Sequence, residues 1–193
     1  MTIRGGASGD AQNFESVLAA AQVGAAWACT LIWVEHAPAV AAFLRARGSR
    51  EPDDLTSEVF LSVFESLDAF VGAEAEFRSF IFSIAYRRLV DELRKRARRG
   101  EHSEWSARTD TRSTASAEED ALAQISEAAA LALLDELTDD QRNVMVLRIV
   151  ADLTVDEVAV ILGKNPGTVK SLQRRALESL RKKVSATRTL LPA

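Results

Sequence analysis

Residues 154–183 constrain the fold more than any other stretch. Thr154 and Glu157 stand at capping-box spacing, so a helix is expected to begin there. Val155, Val158, Ala159 and Leu162 then share one face. Gly163 follows the last apolar residue, where a left-handed C-cap is easiest without a side chain. Asn165 can cap a second helix, with Pro166 at its first position, where a missing N–H costs nothing. Val169, Leu172, Ala176, Leu177 and Leu180 recur there at helical spacing, and small Ala159 allows the two helices a close approach. Two helices, a short turn and a cationic second helix make a helix-turn-helix pattern. Between Gly163 and Lys183 stand seven cations (Lys164, Lys170, Arg174, Arg175, Arg181, Lys182, Lys183) against one acid, Glu178. Such a run suits either a solvated helix face or a nucleic-acid backbone.

The 193 residues leave room for one large or two small domains. With 9 glycines and 4 prolines, long helices are permitted. The net charge of −4 argues against a protein that coats nucleic acid uniformly, so the clustered cations matter more than the sum. The single cysteine, Cys29, lies on an apolar stretch and is expected to be a buried, inert thiol; with no intrachain disulfide possible, a reducing cytoplasm fits. His36 and His102 lack zinc-ligand spacing, and neither metal nor cofactor is expected. Residues 1–10 lack the apolar core of a signal peptide, and no run reads as long enough to span a bilayer.

In chain order, residues 14–33 read as one helix, with Trp27 and Trp33 as core aromatics. Pro38 is expected to start a second, short helix that Gly48 ends. The next helix runs from Leu55 to about Phe70, opened by Asp53 and Asp54 at the positive end of its dipole. Its core stripe is Leu55, Val59, Phe60, Val63, Phe64 and Leu67. The opposite side shows Asp54, Ser57, Glu58, Leu61, Glu65 and Asp68, which suits either docking on a basic helix or plain solvation. A loop around Gly72 spans 71–76. Residues 77–99 form a helix that is aromatic first (Phe77, Phe80, Phe82, Tyr86) and basic afterwards. Aromatics can receive unstacked bases while cations follow phosphates, although several of these rings must be core. Residues 100–119 are polar and read as a tether; helices return over 121–137 and from Thr138, another capping-box residue.

The expected fold is therefore all-α: two small helical domains, 13–99 and 121–185, joined by a flexible polar linker at 100–120, with tails at 1–12 and 186–193. The C-terminal domain carries the helix-turn-helix. No phosphate-cradling glycine loop, nucleophile elbow or acid–base grouping is present, so no enzymatic activity is expected.

Two blocks in this order resemble the extracytoplasmic-function (ECF) group of bacterial RNA polymerase sigma factors. The first holds Asp53-Asp54-Leu55, Glu58-Val59-Phe60, Phe77-Arg78-Ser79-Phe80-Ile81 and Asp91-Glu92-Leu93-Arg94. The second holds Leu137-Thr138, Gln141-Arg142, Leu147-Arg148, Glu157-Val158-Ala159, Leu162-Gly163, Gly167-Thr168-Val169-Lys170-Ser171 and Arg175-Ala176-Leu177. The resemblance implies docking of Asp54, Ser57, Glu58, Leu61 and Glu65 on the clamp helices of the polymerase β′ subunit. It implies capture of a flipped minus-ten base by the 71–76 loop and the start of the next helix, near Gly72, Phe77, Phe80 and Tyr86, with Arg87, Arg88, Asp91, Arg94 and Lys95 on that element. It implies minus-thirty-five contacts by Lys164, Gly167, Thr168, Lys170, Ser171, Arg174 and Arg175, with this domain resting on the β flap, and an anti-sigma protein as a further partner. Ser57, Arg87 and Leu172 depart from the family's commoner glutamine, asparagine and arginine. The competing expectation is a stand-alone helix-turn-helix regulator with an N-terminal sensor or dimerisation domain.

Overall fold

A computed structural model describes residues 6–99 and 132–189, and the helix expected over 121–137 and the linker lie mostly outside them. The described residues hold helices and turns without a strand. The long elements are α1 (Gly6–Gln22), α2 (Ala26–Ala46), α3 (Pro52–Glu65), α4 (Glu74–Arg98), α5 (Asp139–Ile149), α6 (Val155–Leu162) and α7 (Pro166–Thr189), with a 3-10 turn at Leu67–Ala69.

Capping chemistry sets the boundaries. The Thr138 N–H donates to Gln141 Oε1 at 3.1 Å and the Thr154 N–H donates to Glu157 Oε2 at 2.6 Å, while each threonine hydroxyl accepts the return bond. Gly24, Gly48 and Gly163 all adopt positive φ, and each ends a helix in a Schellman turn. At Gly163, for example, the Lys164 N–H reaches back to the Ala159 carbonyl at 2.9 Å.

Six expectations about the N-terminal half need correction. The apolar spacing over 14–33 continues across Gly24, but the left-handed turn there splits it into α1 and α2. Pro38 does not start a helix; it lies inside α2, which tolerates the lost hydrogen bond because Ile32, His36, Ala37 and Val40 on either side are buried. The Leu55 helix stops at Glu65 and a 3-10 turn follows, and α1 reaches back to Gly6, into the expected tail. Trp27 and Trp33 are exposed rather than core, and Cys29 is half-buried. In addition, α2 is long and apolar enough, by length and composition, to cross a membrane. Here Ala28, Ile32, Val40, Phe43 and Leu44 are buried in the core, while Trp27, Leu31, Trp33 and Val34 on the same helix stay exposed.

The core of the N-terminal half lies where α2, α3 and α4 meet. Phe43, Phe60, Phe77 and Phe82 are each almost completely buried there. His36 sits edge-on to Phe77, centroids 5.7 Å apart. Burial pushes its imidazole below the ordinary histidine range; Glu35 and Glu74 oppose the shift and Arg78 adds to it. The folded chain thus favours neutral His36, and the unfolded chain takes up the proton first as pH falls. The contribution is fully present above a pH of about 6.5 and fades below it, through the depressed folded value. Urea midpoints should therefore drop more steeply from pH 7 to 5 in the parent than in His36→Gln, by at most about 1.4 kcal/mol per pH unit. Parallel pH profiles would refute this role.

Around α5, α6 and α7, Val144, Leu147, Val158, Ala159, Val169 and Ala176 are buried. This C-terminal half packs on the first: α6 lies on α4, α5 on α2, and one apolar cluster runs through both. Arg78 on α4 pairs with Asp152 at 3.3 Å, and Asp152 has a left-handed φ of 50°, which aspartate adopts more readily than most residues. Arg47, just past α2, donates from Nε to Asn143 Oδ1 at 2.6 Å.

Candidate nucleic-acid interface

The N-terminal end of α7 is set by Asn165, whose Oδ1 accepts from the Thr168 N–H at 2.8 Å and the Thr168 hydroxyl at 3.0 Å. Thr168 is therefore half-buried and committed to the cap. Gly167 is exposed, and a Cβ there would come within 3.3 Å of Asn165 Oδ1. Lys170, Arg174 and Arg175 are exposed beyond it, with Ser171 half-buried. Two of the expected cations are engaged: Lys164 with Asp140 at 2.9 Å and Arg174 with Glu178 at 3.2 Å. The exposed Arg174 pair is worth little and can be exchanged for a phosphate. This end of the helix thus presents positive side chains and the positive end of the backbone dipole together.

On α4 the expected residues separate into three groups. Arg87, Arg88, Asp91, Arg94 and Lys95 are exposed or half-buried and recur at three- and four-residue steps, which places them on one face. Arg88 also donates to Ser62 Oγ at 2.6 Å, which ties this face to α3. Phe77 cannot meet a base here, because its ring is 0% exposed and packed between Phe14 and Phe70. Phe80 remains half-buried, 5.2 Å from the Phe70 ring. Tyr86 turns away from the basic face and lines a cavity beside the C-terminal half. The loop ahead of α4 is shorter than expected, since α4 begins at Glu74 and Glu76 Oε2 accepts from the Ala73 N–H at 2.8 Å. Gly72 is needed there for space: a Cβ would meet Glu76 and the Phe70 ring, each at 3.0 Å. Beside it Val71, the first residue of the expected loop, is 94% exposed.

On α3, Asp54, Ser57, Glu58, Leu61 and Glu65 are all exposed, as the stripe required. Ser57 keeps its hydroxyl on the helix, donating to the Asp53 carbonyl at 3.1 Å. Sequence reasoning also missed Trp27, Leu31 and Val34, exposed at helical spacing on α2, and the exposed Ile149 and Val160 in the C-terminal half. The spacing of the α2 residues was legible; their outward direction was not.

Comparison with known proteins follows the same two-part division. The family model for Sigma-70 region 2 matches residues 32–99, and that for Sigma-70, region 4 matches 133–182. The ECF RNA polymerase sigma factor ShbA of Streptomyces griseus is 33% identical over 157 residues, covering 75% of this chain and 81% of that protein. The chain belongs to the ECF sigma factors. Its function is to direct the initiation of transcription. The ECF sigma factor BldN of Streptomyces coelicolor is 28% identical over 179 residues, 92% of this chain and 68% of that protein. The fold is also that of the sigma factor RpoE, solved in complex with the anti-sigma factor NepR from Bartonella quintana. That likeness has a TM-score of 0.63 at 22% identity and covers 81% of this chain and 96% of that one. In this sigma factor most of α2, with α3 and α4, falls within the region 2 match, which leaves no separate sensor domain in the matched N-terminal half.

Proposed function

We propose that this sigma factor works as two units, 13–99 and 121–185, carried by core polymerase and joined by the segment at 100–120. The exposed face of α3, with Asp54, Ser57, Glu58, Leu61 and Glu65, docks on the β′ clamp helices. Gly72 and Phe80, with Val71 added, hold the flipped minus-ten base, and Arg87, Arg88, Asp91, Arg94 and Lys95 follow that element. The C-terminal unit reads the minus-thirty-five element with Lys170, Ser171 and Arg174, takes phosphates with Arg175 and Lys164, and rests on the β flap. An anti-sigma protein restrains it in the cytoplasm, where polymerase works. The observation that carries this reading is that each half exposes a face its core does not need: acidic and apolar on α3, cationic on α7.

The two elements lie roughly 25 base pairs apart, or roughly 85 Å at 3.4 Å per base pair. A compact chain of this length is only about 40 Å across. The packed arrangement of the halves is therefore a resting form, and polymerase binding opens it.

Lys170→Ala with Arg174→Ala is expected to lower run-off transcription from a minus-thirty-five-dependent promoter about 30-fold or more, since two base contacts worth about 1–3 kcal/mol each are lost. Affinity for core polymerase should stay within about twofold, because neither side chain lies on the α3 docking face. Unchanged transcription with core enzyme across a promoter library would remove α7 from promoter reading.

A further inference from the structure

Between the two halves lies a half-open cavity of about 460 Å³ that the proposed promoter and polymerase contacts do not use. We propose that it is a binding site for a small organic anion, a carboxylate or phosphate on an apolar body, whose occupancy favours the packed form.

Arg47 carries the argument. Its side chain is only 5% exposed. Nε is used on Asn143, and Nη2 lies 3.7 Å from Asp139 Oδ1. Nη1 is buried and has no partner. A buried charged donor left unmade is costly, so a small turn of the Arg47 side chain into the cavity, where a ligand oxygen could accept from it, is favoured. Burial also pushes the Arg47 pKa below the ordinary arginine range, and Asp139 only partly offsets it. Arg96, on the same side of the cavity, donates from Nη1 to the Gly48 carbonyl at 2.7 Å, while its Nε is buried and unpartnered. Glu92, one turn earlier, also has a buried unpartnered oxygen, so a small rotation can join those two.

The lining favours an anion. Among the described lining residues three cations, Arg47, Arg96 and Arg142, outnumber two acids, Asp135 and Asp139. Arg142 is matched by Asp135 at 3.1 Å. The remaining wall is apolar, formed by Leu89, Val90 and Leu93 with the Tyr86 ring. Apolar walls with few convergent polar groups, in a space of this size, describe a small-molecule site rather than a pocket for one water. Because α2 and α4 supply one side and α5 the other, a ligand there binds the packed form better than an opened one. Only this last consequence rests on the sigma-factor reading; the binding itself does not.

The test is calorimetry and thermal melting of the full chain with GMP, salicylate and inorganic phosphate. GMP or salicylate is expected to bind with a Kd below about 1 mM and to raise the melting temperature. Inorganic phosphate, lacking the apolar body, is expected to bind at least about tenfold more weakly. Arg47→Met should weaken organic-anion binding at least about tenfold, the loss of a charged hydrogen bond. If that variant does not fold, Leu93→Trp fills the cavity from its apolar wall and should abolish binding instead. No binding by either organic anion, binding of phosphate equal to theirs, or binding that survives the folded variants overturns the proposal. None of these readouts needs polymerase, so a failure of the promoter-directing role would appear separately, in transcription.

Discussion

Glu58→Lys combined with Leu61→Asp should leave the chain folded and reduce its affinity for core polymerase on the order of 100-fold or more. Both positions are exposed, Leu61 by 63%, so neither substitution removes core packing. Surface changes of this kind usually move stability by about 0.5 kcal/mol or less. The new pairs even suit the helix, because the introduced lysine would face Asp54 one turn before it and the introduced aspartate one turn after it. Docking, however, loses its apolar contact and gains a charge of the wrong sign at the centre of an acidic stripe. Each central contact of this kind is worth about 2 kcal/mol or more, and about 1.4 kcal/mol is tenfold. A pull-down titration against core enzyme, beside a urea melt, separates binding from folding. Equal affinity of parent and double variant would move docking off this face, and the exposed Trp27, Leu31 and Val34 on α2 would be the next surface to test.

The parts of the structure written in local chemistry were legible. Thr138 with Gln141, Thr154 with Glu157, and Asn165 with Pro166 each specify a helix start within a few residues, and all three form as expected. Gly48 and Gly163 announce their turns because apolar periodicity stops beside them. Gly24 does not, because apolar spacing resumes on both sides of it. Pro38 misleads for the opposite reason: local preference reads as a helix start, and tertiary burial of α2 overrides it.

Directions were harder to read than boundaries. An exposed and a buried aromatic look alike in sequence, so Trp27 and Trp33 read as inward although both are exposed. The bond from Arg47 to Asn143 spans 96 positions and follows no local pattern; it exists only because the halves pack. The acidic face of α3 and the cationic face of α7 were readable because charge leaves few other places to go.

Phe77 gives the sharpest separation between what the aromatic run suggested and where its rings lie. Phe77→Ala is expected to cost about 3–5 kcal/mol, the usual range for a buried phenylalanine. The ring is 0% exposed and meets Phe14 at 5.5 Å, Phe70 at 5.2 Å and His36 at 5.7 Å, so three neighbouring segments lose contacts at once. Against a typical domain stability of about 5–15 kcal/mol, that loss is large. Phe80→Ala removes a half-buried ring from the edge of the same cluster and should cost less, while impairing promoter opening if Phe80 helps hold the flipped base. Phe77→Leu restores most of the buried volume and should recover most of the stability. Urea midpoints of the three variants, set beside open-complex yields with core enzyme, test the assignment. If Phe77→Ala melted like the parent yet failed to open promoters, the ring would belong to the DNA after all, and α4 would have to sit differently on α2.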